Sequence, residues 1–102
     1  MKFIIIYITY KNLKEAEKIC NYLLKQKLIA CCNYFPVKSA YQWKGKVANS
    51  TEVVSIIKTK KSNWKKIKDV VTKMHSYDVP CIIKIEVEAN KSFADWVNKE
   101  TK

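Results

Sequence analysis

The run Phe-Ile-Ile-Ile-Tyr-Ile at residues 3–8 constrains the fold of this chain more than any other stretch. Nearly all of its side chains are apolar, and most are β-branched. A strand with one solvated face alternates between apolar and polar residues, whereas a continuous apolar run is typical of a strand covered on both faces. The run therefore predicts a strand at the centre of a sheet.

An amphipathic helix is predicted directly after this strand. Asn12 is a favourable N-cap residue, and Glu15, three positions later, is the usual reciprocal partner in a capping box. Apolar residues then recur at helical spacing, at Leu13, Ala16, Ile19, Cys20, Leu23 and Leu24. Because charged residues occupy most of the remaining positions, we expect one face of this helix to pack on the sheet.

The middle of the chain predicts a long hairpin over residues 28–59. A second strand begins at residues 28–35, is interrupted by Pro36 and resumes with Tyr41 and Trp43, so Pro36 marks a kink or an edge position. The only glycine, Gly45, follows Lys44 in a tight turn, and residues 51–59 form the returning strand.

This hairpin is longer than the first strand needs, so its ends leave backbone groups unpaired unless another chain covers them. Aromatic residues at its tip favour such pairing, because aromatic side chains are enriched at protein interfaces. We therefore expect a homo-oligomer that forms through edge-strand pairing of the hairpin.

A second helix is predicted from an N-cap at Ser62, with an apolar stripe at Trp64, Ile67, Val70, Val71 and Met74. A strand follows in which Ile83, Ile85 and Val87 alternate with charged residues, which predicts one buried face. A last short helix starts at Asn90 or Ser92, and its expected anchors are Phe93, Trp96 and Val97.

The resulting order, β-α-β-β-α-β plus a C-terminal helix, predicts an α+β fold of the ferredoxin-like sandwich type. At 102 residues, we expect residues 1–102 to form a single domain. No stretch is long enough to cross a membrane, and the apolar run at residues 3–8 is short for a secretion signal.

The net charge of +11 comes from lysine alone, since the chain has no arginine. Arginine is the usual residue for bidentate recognition of guanine, so specific nucleic-acid binding is not expected. An RNA-recognition domain has the same element order, but it stacks bases on aromatic residues of its third strand. Residues 52–58 contain none.

The four cysteines are Cys20, Cys31, Cys32 and Cys81, and they show no C-x-x-C pair and no zinc-site spacing. Cys31 and Cys32 are adjacent, so on a strand they point to opposite faces and cannot chelate one ion together. We expect four reduced thiols and a cytoplasmic protein.

Residues 75–81 concentrate the titratable chemistry of the chain, because they hold its only histidine together with a phenol, a carboxylate and a thiol. His75 with Cys31 or Cys81 would suit Cu(I) or zinc, and Asp78 would suit harder ions. Alternatively, His75 is a structural residue at a helix end. Because no local feature fixes a nucleophile–base pair, we do not expect an enzyme.

Four segments together resemble the CutA family of divalent-cation tolerance proteins: residues 28–33, residues 41–47, Glu52 with Lys58-Thr59, and residues 75–80. The resemblance covers essentially the whole chain. It implies a trimer in which the long hairpins pair between subunits, and a cleft between subunits like that of PII-like signalling proteins. The residues that match the family's cleft pattern are Trp43, Glu52, Lys58, His75, Tyr77 and Asp78.

The resemblance also implies a link to copper and other divalent metals, with no required cofactor; the alternative is a PII-like sensor of a small anionic ligand. Three positions depart from the usual pattern of the family. Ser76 replaces a proline, Cys81 a carboxylate and Cys32 an aliphatic residue. The last two substitutions add thiols.

Overall fold

The computed structural model describes residues 2–102, which form a four-stranded antiparallel sheet and three α-helices. A short 3-10 turn at Lys61–Asn63 precedes the second helix. The elements are β1 (Lys2–Tyr10), α1 (Leu13–Lys25), β2 (Cys31–Trp43), β3 (Lys46–Thr59), α2 (Trp64–Met74), β4 (Ile82–Glu88) and α3 (Lys91–Lys99). The strand order across the sheet is β2-β3-β1-β4. No helix within residues 2–102 is long and apolar enough to span a membrane.

β1 lies between β3 and β4, which confirms the central position predicted from its apolar run. One face of the sheet is fully covered, since Ile4, Ile6, Ile8 and Tyr10 are at most 1% exposed. On the opposite face the side chains of β1 are only half-buried apart from Phe3. The prediction of two fully covered faces therefore holds for one face of this chain, and the second is called the open face below.

Helices α1 and α2 form the core against the covered face, with Leu23, Ile67 and Val71 completely buried. The cap of α1 is confirmed, because the side chain of Asn12 accepts a hydrogen bond of 2.9 Å from the backbone N–H of Glu15. The carboxylate of Glu15 does not return to Asn12. It accepts bonds from the backbone N–H groups of Lys11 and Ser76 instead.

The predicted cap of the second helix was wrong. Ser62 lies within the 3-10 turn, and the residue before α2 is Asn63, whose side chain does not cap the helix. Its amide is buried and donates to the backbone carbonyl of Leu28 at 3.0 Å. The 3-10 turn thus ties α2 to the segment that leads into β2.

The long hairpin is confirmed. β2 and β3 pair without interruption from Cys31 opposite Lys58 to Trp43 opposite Lys46, and Pro36 lies on the edge strand, the position in a sheet where proline is tolerated. Lys44 and Gly45 have φ values of 50° and 78°, the left-handed conformation that a two-residue hairpin turn requires. β1 ends with Tyr10 opposite Val53, so the outer part of the hairpin extends beyond the sheet.

At one end of the open face, Ala94 and Val97 of α3 pack on Phe3. Trp96 was expected to anchor this helix, but it is 42% exposed, and its ring lies 5.7 Å from that of Phe93. The face of β4 predicted to be buried is also open within this chain, with Ile83 and Ile85 48% and 46% exposed.

Candidate functional site

Residues 75–81 connect α2 to β4 and pack beside the part of the hairpin that extends beyond β1. Between the loop, the hairpin and the open face lies a groove of ≈ 830 Å³. Its lining residues are Tyr7, Thr9, Lys38, Ser39, Ala40, Tyr41, Trp43, Glu52, Ser76, Tyr77, Asp78, Val79 and Cys81. Its walls combine aromatic rings with a few charged groups, the usual composition of a small-ligand site.

His75 lies behind the groove and is only 8% exposed. Its Nε2 atom is 2.7 Å from the backbone carbonyl oxygen of Thr9, and its Nδ1 accepts the backbone N–H of Tyr77 at 3.1 Å. Since a carbonyl can only accept, Nε2 is the donor of this bond. Both ring nitrogens are therefore engaged by the backbone, and neither offers a free lone pair to a metal ion.

The ring of His75 is also packed between two tyrosines, stacked on Tyr10 and tilted against Tyr77. Its centroid lies 5.4 Å from that of Tyr10 in a nearly parallel arrangement, and 4.8 Å from that of Tyr77. Tyr10 belongs to the core and Tyr77 to the groove, so His75 connects the two. This arrangement agrees with the structural alternative for the histidine.

Tyr77 and Glu52 form the most specific polar contact of the groove. The phenol of Tyr77 donates to Oε2 of Glu52 at 2.6 Å, a short distance typical of a charge-assisted bond. Burial, together with this hydrogen bond to Glu52, raises the pKa of Tyr77 above its ordinary value. The contact joins the loop to the hairpin and fixes the width of the groove at that point.

The charge of the groove is opposite to that of the chain. Glu52 and Asp78 supply two carboxylates, while Lys38 is the only lysine among the lining residues. The chain as a whole carries a formal charge of +11. A concave surface concentrates the field of the charges that line it, so this groove attracts cations more than its surroundings do.

The structure brings together four of the six residues assigned to the cleft from the family resemblance: Trp43, Glu52, Tyr77 and Asp78 all line the groove. His75 does not line the groove itself but lies behind it, in contact with Tyr77. Lys58 is not among the lining residues; it lies opposite Cys31 and Ile5 on the open face, six residues along β3 from Glu52. At about 3.3 Å per residue, that places the two about 20 Å apart.

The three candidate metal ligands do not meet within one chain. Cys81 lines the groove, where burial raises the pKa of its thiol, and Cys31 lies beside Lys58 at the other end of the open face. Residues 2–102 contain no cluster of three or more His, Cys, Asp or Glu side chains that could hold a metal ion. A site built from His75, Cys31 and Cys81 would need ligands from more than one subunit.

Sequence reasoning missed several lining residues, notably Tyr7, Lys38 and Tyr41. Tyr7 was interpreted only as part of a buried strand, although strand alternation places it on the same face as Thr9. The phenol of Tyr41 lies 3.3 Å from the hydroxyl of Ser50 across the hairpin. The spacing of Tyr41 and Trp43, which point to one face of a strand, was the available signal.

These features define a class of protein. It is a small α+β protein whose hairpin extends beyond its sheet and whose groove lies between that hairpin and the loop before the last strand. Residues 4–100 match the sequence profile of a family described as CutA1 divalent ion tolerance protein. Nearly the full length of the chain is matched. The chain belongs to the CutA1 family.

Comparison with individual proteins supports the same family assignment. The divalent-cation tolerance protein CutA of Archaeoglobus fulgidus is 45% identical over 95 residues, which cover 92% of this chain and 93% of the relative. Its counterpart from Pyrococcus horikoshii is 40% identical over 100 residues, or 97% of this chain and 98% of the relative.

Solved structures confirm the fold. A crystal structure of a point mutant of CutA1 from Pyrococcus horikoshii superposes with a TM-score of 0.94 at 40% identity, covering 97% of this chain and 98% of that one. A structure from Archaeoglobus fulgidus, described as the periplasmic divalent cation tolerance protein CutA, gives 0.95 at 43% identity and covers both chains completely.

Proposed function

We propose that this chain serves divalent-cation tolerance by binding a cation, foremost a divalent metal ion such as copper, in the groove beside residues 75–81. The observation that carries this proposal is the pair of carboxylates, Glu52 and Asp78, in a concave site of an otherwise strongly basic chain. Carboxylate oxygens are ligands for divalent ions. The description of the family as divalent ion tolerance proteins supports the same chemistry.

The proposed active form is a homotrimer of ferredoxin-like subunits, with each groove completed by a neighbouring copy. Two features support this assembly: within residues 2–102, β2 is paired on one side only and its outer part extends beyond β1, and the open face exposes Phe35, Ile83 and Ile85. Apolar side chains that remain exposed to water do not contribute the stability that their burial would give. A second copy of the same chain covers both the edge and the face.

In such a trimer, a neighbour brings the additional ligands that one chain lacks. Cys31 and Lys58 lie on the same open face as the groove, so they are placed to approach the groove of another subunit. His75 joins a metal site only if its ring releases one of its two backbone partners. We therefore assign first contact with the metal to Glu52 and Asp78, and to Cys81 if the ion is soft.

The second candidate function is a PII-like sensor of a small anionic ligand in the same groove. Lys58, contributed by a neighbour, would supply the charge, and Trp43, which is 45% exposed in this chain, would supply a stacking face. A catalytic role is not proposed, because the ring nitrogens of His75 bond the backbone and not a cysteine.

Calorimetric titration with Cu(II) and Zn(II) tests the leading proposal on the wild type, Glu52→Gln, Asp78→Asn and Asp95→Asn. Asp95 is the matched control, since it is an exposed carboxylate paired with Lys91 on α3. We expect loss of either groove carboxylate to weaken binding at least about tenfold, as losses around metal sites usually do. Equal affinities in all four proteins would disprove the cation site.

A thermal-shift screen with citrate, ATP and other anionic metabolites tests the sensor alternative, because a bound ligand raises the transition by mass action. Stabilisation by an anion that Lys58→Ala abolishes would favour the sensor over the metal site. If no anion raises the thermal transition temperature, the sensor function is refuted.

Sedimentation equilibrium tests the assembly. The wild type should have the mass of three chains, and Ile85→Lys should dissociate it, because the new charge would be buried in the interface. Tyr22→Lys is the matched control: Tyr22 is similarly exposed, at 42%, but lies on α1, away from the open face. A single-chain mass for the wild type at micromolar concentration would refute the trimer.

A further inference from the structure

Of the two carboxylates in the groove, Glu52 is the buried one. It is 7% exposed, and no lysine of residues 2–102 forms an ion pair with it. Its Oε2 atom is held by the phenol of Tyr77, whereas its Oε1 atom accepts no hydrogen bond from the part of the chain that the structure describes. A buried charge is normally paired with an opposite charge, so Glu52 lacks a cationic partner that a ligand can supply.

Aromatic rings surround this carboxylate. Tyr7, Tyr41, Trp43 and Tyr77 all line the groove. The ring of Trp43 already attracts an ammonium group, because the Nζ atom of Lys44 lies 5.8 Å from its centroid. The negative face of an aromatic ring binds such cations within about 6 Å. The groove therefore offers a positively charged ligand both a carboxylate and several ring faces.

The groove is elongated, because it follows the hairpin. Glu52 lies opposite Val37 on the open face, and Tyr41, four residues after Val37, lies opposite Ala48. Strand alternation places Tyr41 on the same face as Val37. At about 3.3 Å per residue, four residues span about 13 Å. A ligand that touches both Glu52 and Tyr41 is therefore extended in shape.

An organic cation uses such a site differently from a metal ion. A divalent ion requires four or more ligand atoms around one point, and residues 2–102 hold no cluster of three or more His, Cys, Asp or Glu side chains. An ammonium group needs acceptors only at its own end, and its alkyl chain gains stability from apolar contact. A volume of ≈ 830 Å³ is within the range of small-molecule sites.

We propose that the groove binds a linear aliphatic amine with two or more ammonium groups. One ammonium group bonds Oε1 of Glu52, and the methylene chain runs along the hairpin to Tyr41, where the next ammonium group meets the ring faces. Asp78 adds a second negative charge, which outweighs the single lining lysine, Lys38. The inference rests on the proposed function in that both place a cation at Glu52, and it goes beyond it by naming an organic class of ligand.

A pair of ligands tests the proposal on the wild-type chain itself. Calorimetric titration at pH 7 compares 1,8-diaminooctane with octane-1,8-diol, which has the same chain length but no charge. We expect the diamine to bind at least about tenfold more tightly, because hydrogen bonds to a carboxylate are stronger when the donor is also charged. Equal binding of the two ligands, or no binding of the diamine, would overturn the proposal.

Three variants locate the diamine. Tyr41→Leu should weaken its binding about two- to fivefold through the loss of the ring face. Tyr22→Leu is the matched control, since Tyr22 has the same exposure of 42% but lies on α1. Glu52→Gln, which retains an acceptor for Tyr77, should weaken the diamine at least about tenfold. Wild-type affinity in both Tyr41→Leu and Glu52→Gln would place the diamine elsewhere and refute the assignment.

Titration of the same proteins with Zn(II) separates this inference from the metal proposal. Zn(II) binding without diamine binding overturns the inference and leaves the metal site in place. Diamine binding without Zn(II) or Cu(II) binding supports the inference and refutes the metal site. If both bind, saturating diamine should weaken the apparent Zn(II) affinity, because both ligands use Glu52; independent binding would contradict the shared site. At pH 7 the amines are protonated, so they do not complex Zn(II) themselves.

Discussion

Replacement of His75 by alanine should destabilise the protein by about 3–5 kcal/mol, because the ring joins the core to the groove through hydrogen bonds and ring contacts. The variant loses two backbone hydrogen bonds, to Thr9 and from Tyr77, each of which contributes about 1 kcal/mol. It also loses ring contacts with Tyr10 and Tyr77, worth about 0.5–1.5 kcal/mol each. Guanidinium unfolding at fixed protein concentration, read from the midpoint with an unchanged slope, measures the loss.

Two matched variants separate the hydrogen bonds. His75→Asn retains an acceptor near the Nδ1 position for the N–H of Tyr77, and His75→Gln retains a donor that reaches the carbonyl of Thr9. Each should therefore lose less stability than the alanine variant. A cost below about 1 kcal/mol for His75→Ala, combined with loss of metal binding, would refute the structural role and restore His75 as a ligand.

Three further changes test the surrounding structure. Burial by itself would raise the pKa of Glu15, but the hydrogen bonds from Ser76 outweigh it and lower the pKa, so the carboxylate stabilises the fold at neutral pH. Glu15→Gln should cost about 0.5–1 kcal/mol at pH 7, given the exposure of this residue, and the difference from wild type should shrink below the ordinary glutamate pKa of about 4.3. A difference that stays constant down to pH 3 would contradict this assignment. Ser55→Ala should cost about 1–3 kcal/mol, because it leaves the buried phenol of Tyr10 without its 2.8 Å partner. Adding Tyr10→Phe should recover part of that loss in urea unfolding; fully additive costs would argue against the pair. Gly45→Ala should cost about 1 kcal/mol from its left-handed φ alone, since no atom lies within 4 Å of the added Cβ. An unchanged thermal transition would contradict that strain.

The sequence was most reliable where one physical rule acted over a few neighbouring residues. The cap at Asn12 depends on a side-chain oxygen that can accept the backbone N–H of Glu15, and the turn at Gly45 depends on a left-handed φ; both are present. The central position of β1 followed from an unbroken apolar run, and the length of the hairpin followed from alternation on both sides of its turn. Capping propensity placed the cap of α2 at Ser62, which was wrong. The residue before α2 is Asn63, and its side chain makes a tertiary contact with the carbonyl of Leu28 that the sequence does not reveal.

The groove could be predicted only in part. Trp43, Glu52, Tyr77 and Asp78 were assigned from a family resemblance, and all four line it. Lys58 was assigned in the same way but lies elsewhere on the open face within this chain. The alternation of β4 indicated one buried face, yet Ile83 and Ile85 are half-exposed, since a repeating pattern does not tell whether the cover comes from the same chain or from another.

The sequence by itself determined the order of strands and helices, the turn, the first cap and the concentration of chemistry at residues 75–81. Hydrophobic periodicity and helix caps involve residues close together in the sequence, so they can be recognised without knowing the tertiary packing. Only the tertiary structure decided that Tyr77 reaches Glu52, 25 positions away, and that His75 turns both ring nitrogens to the backbone. Such contacts depend on strand register and on how helices lie across the sheet, and those are set by the packing of the whole core.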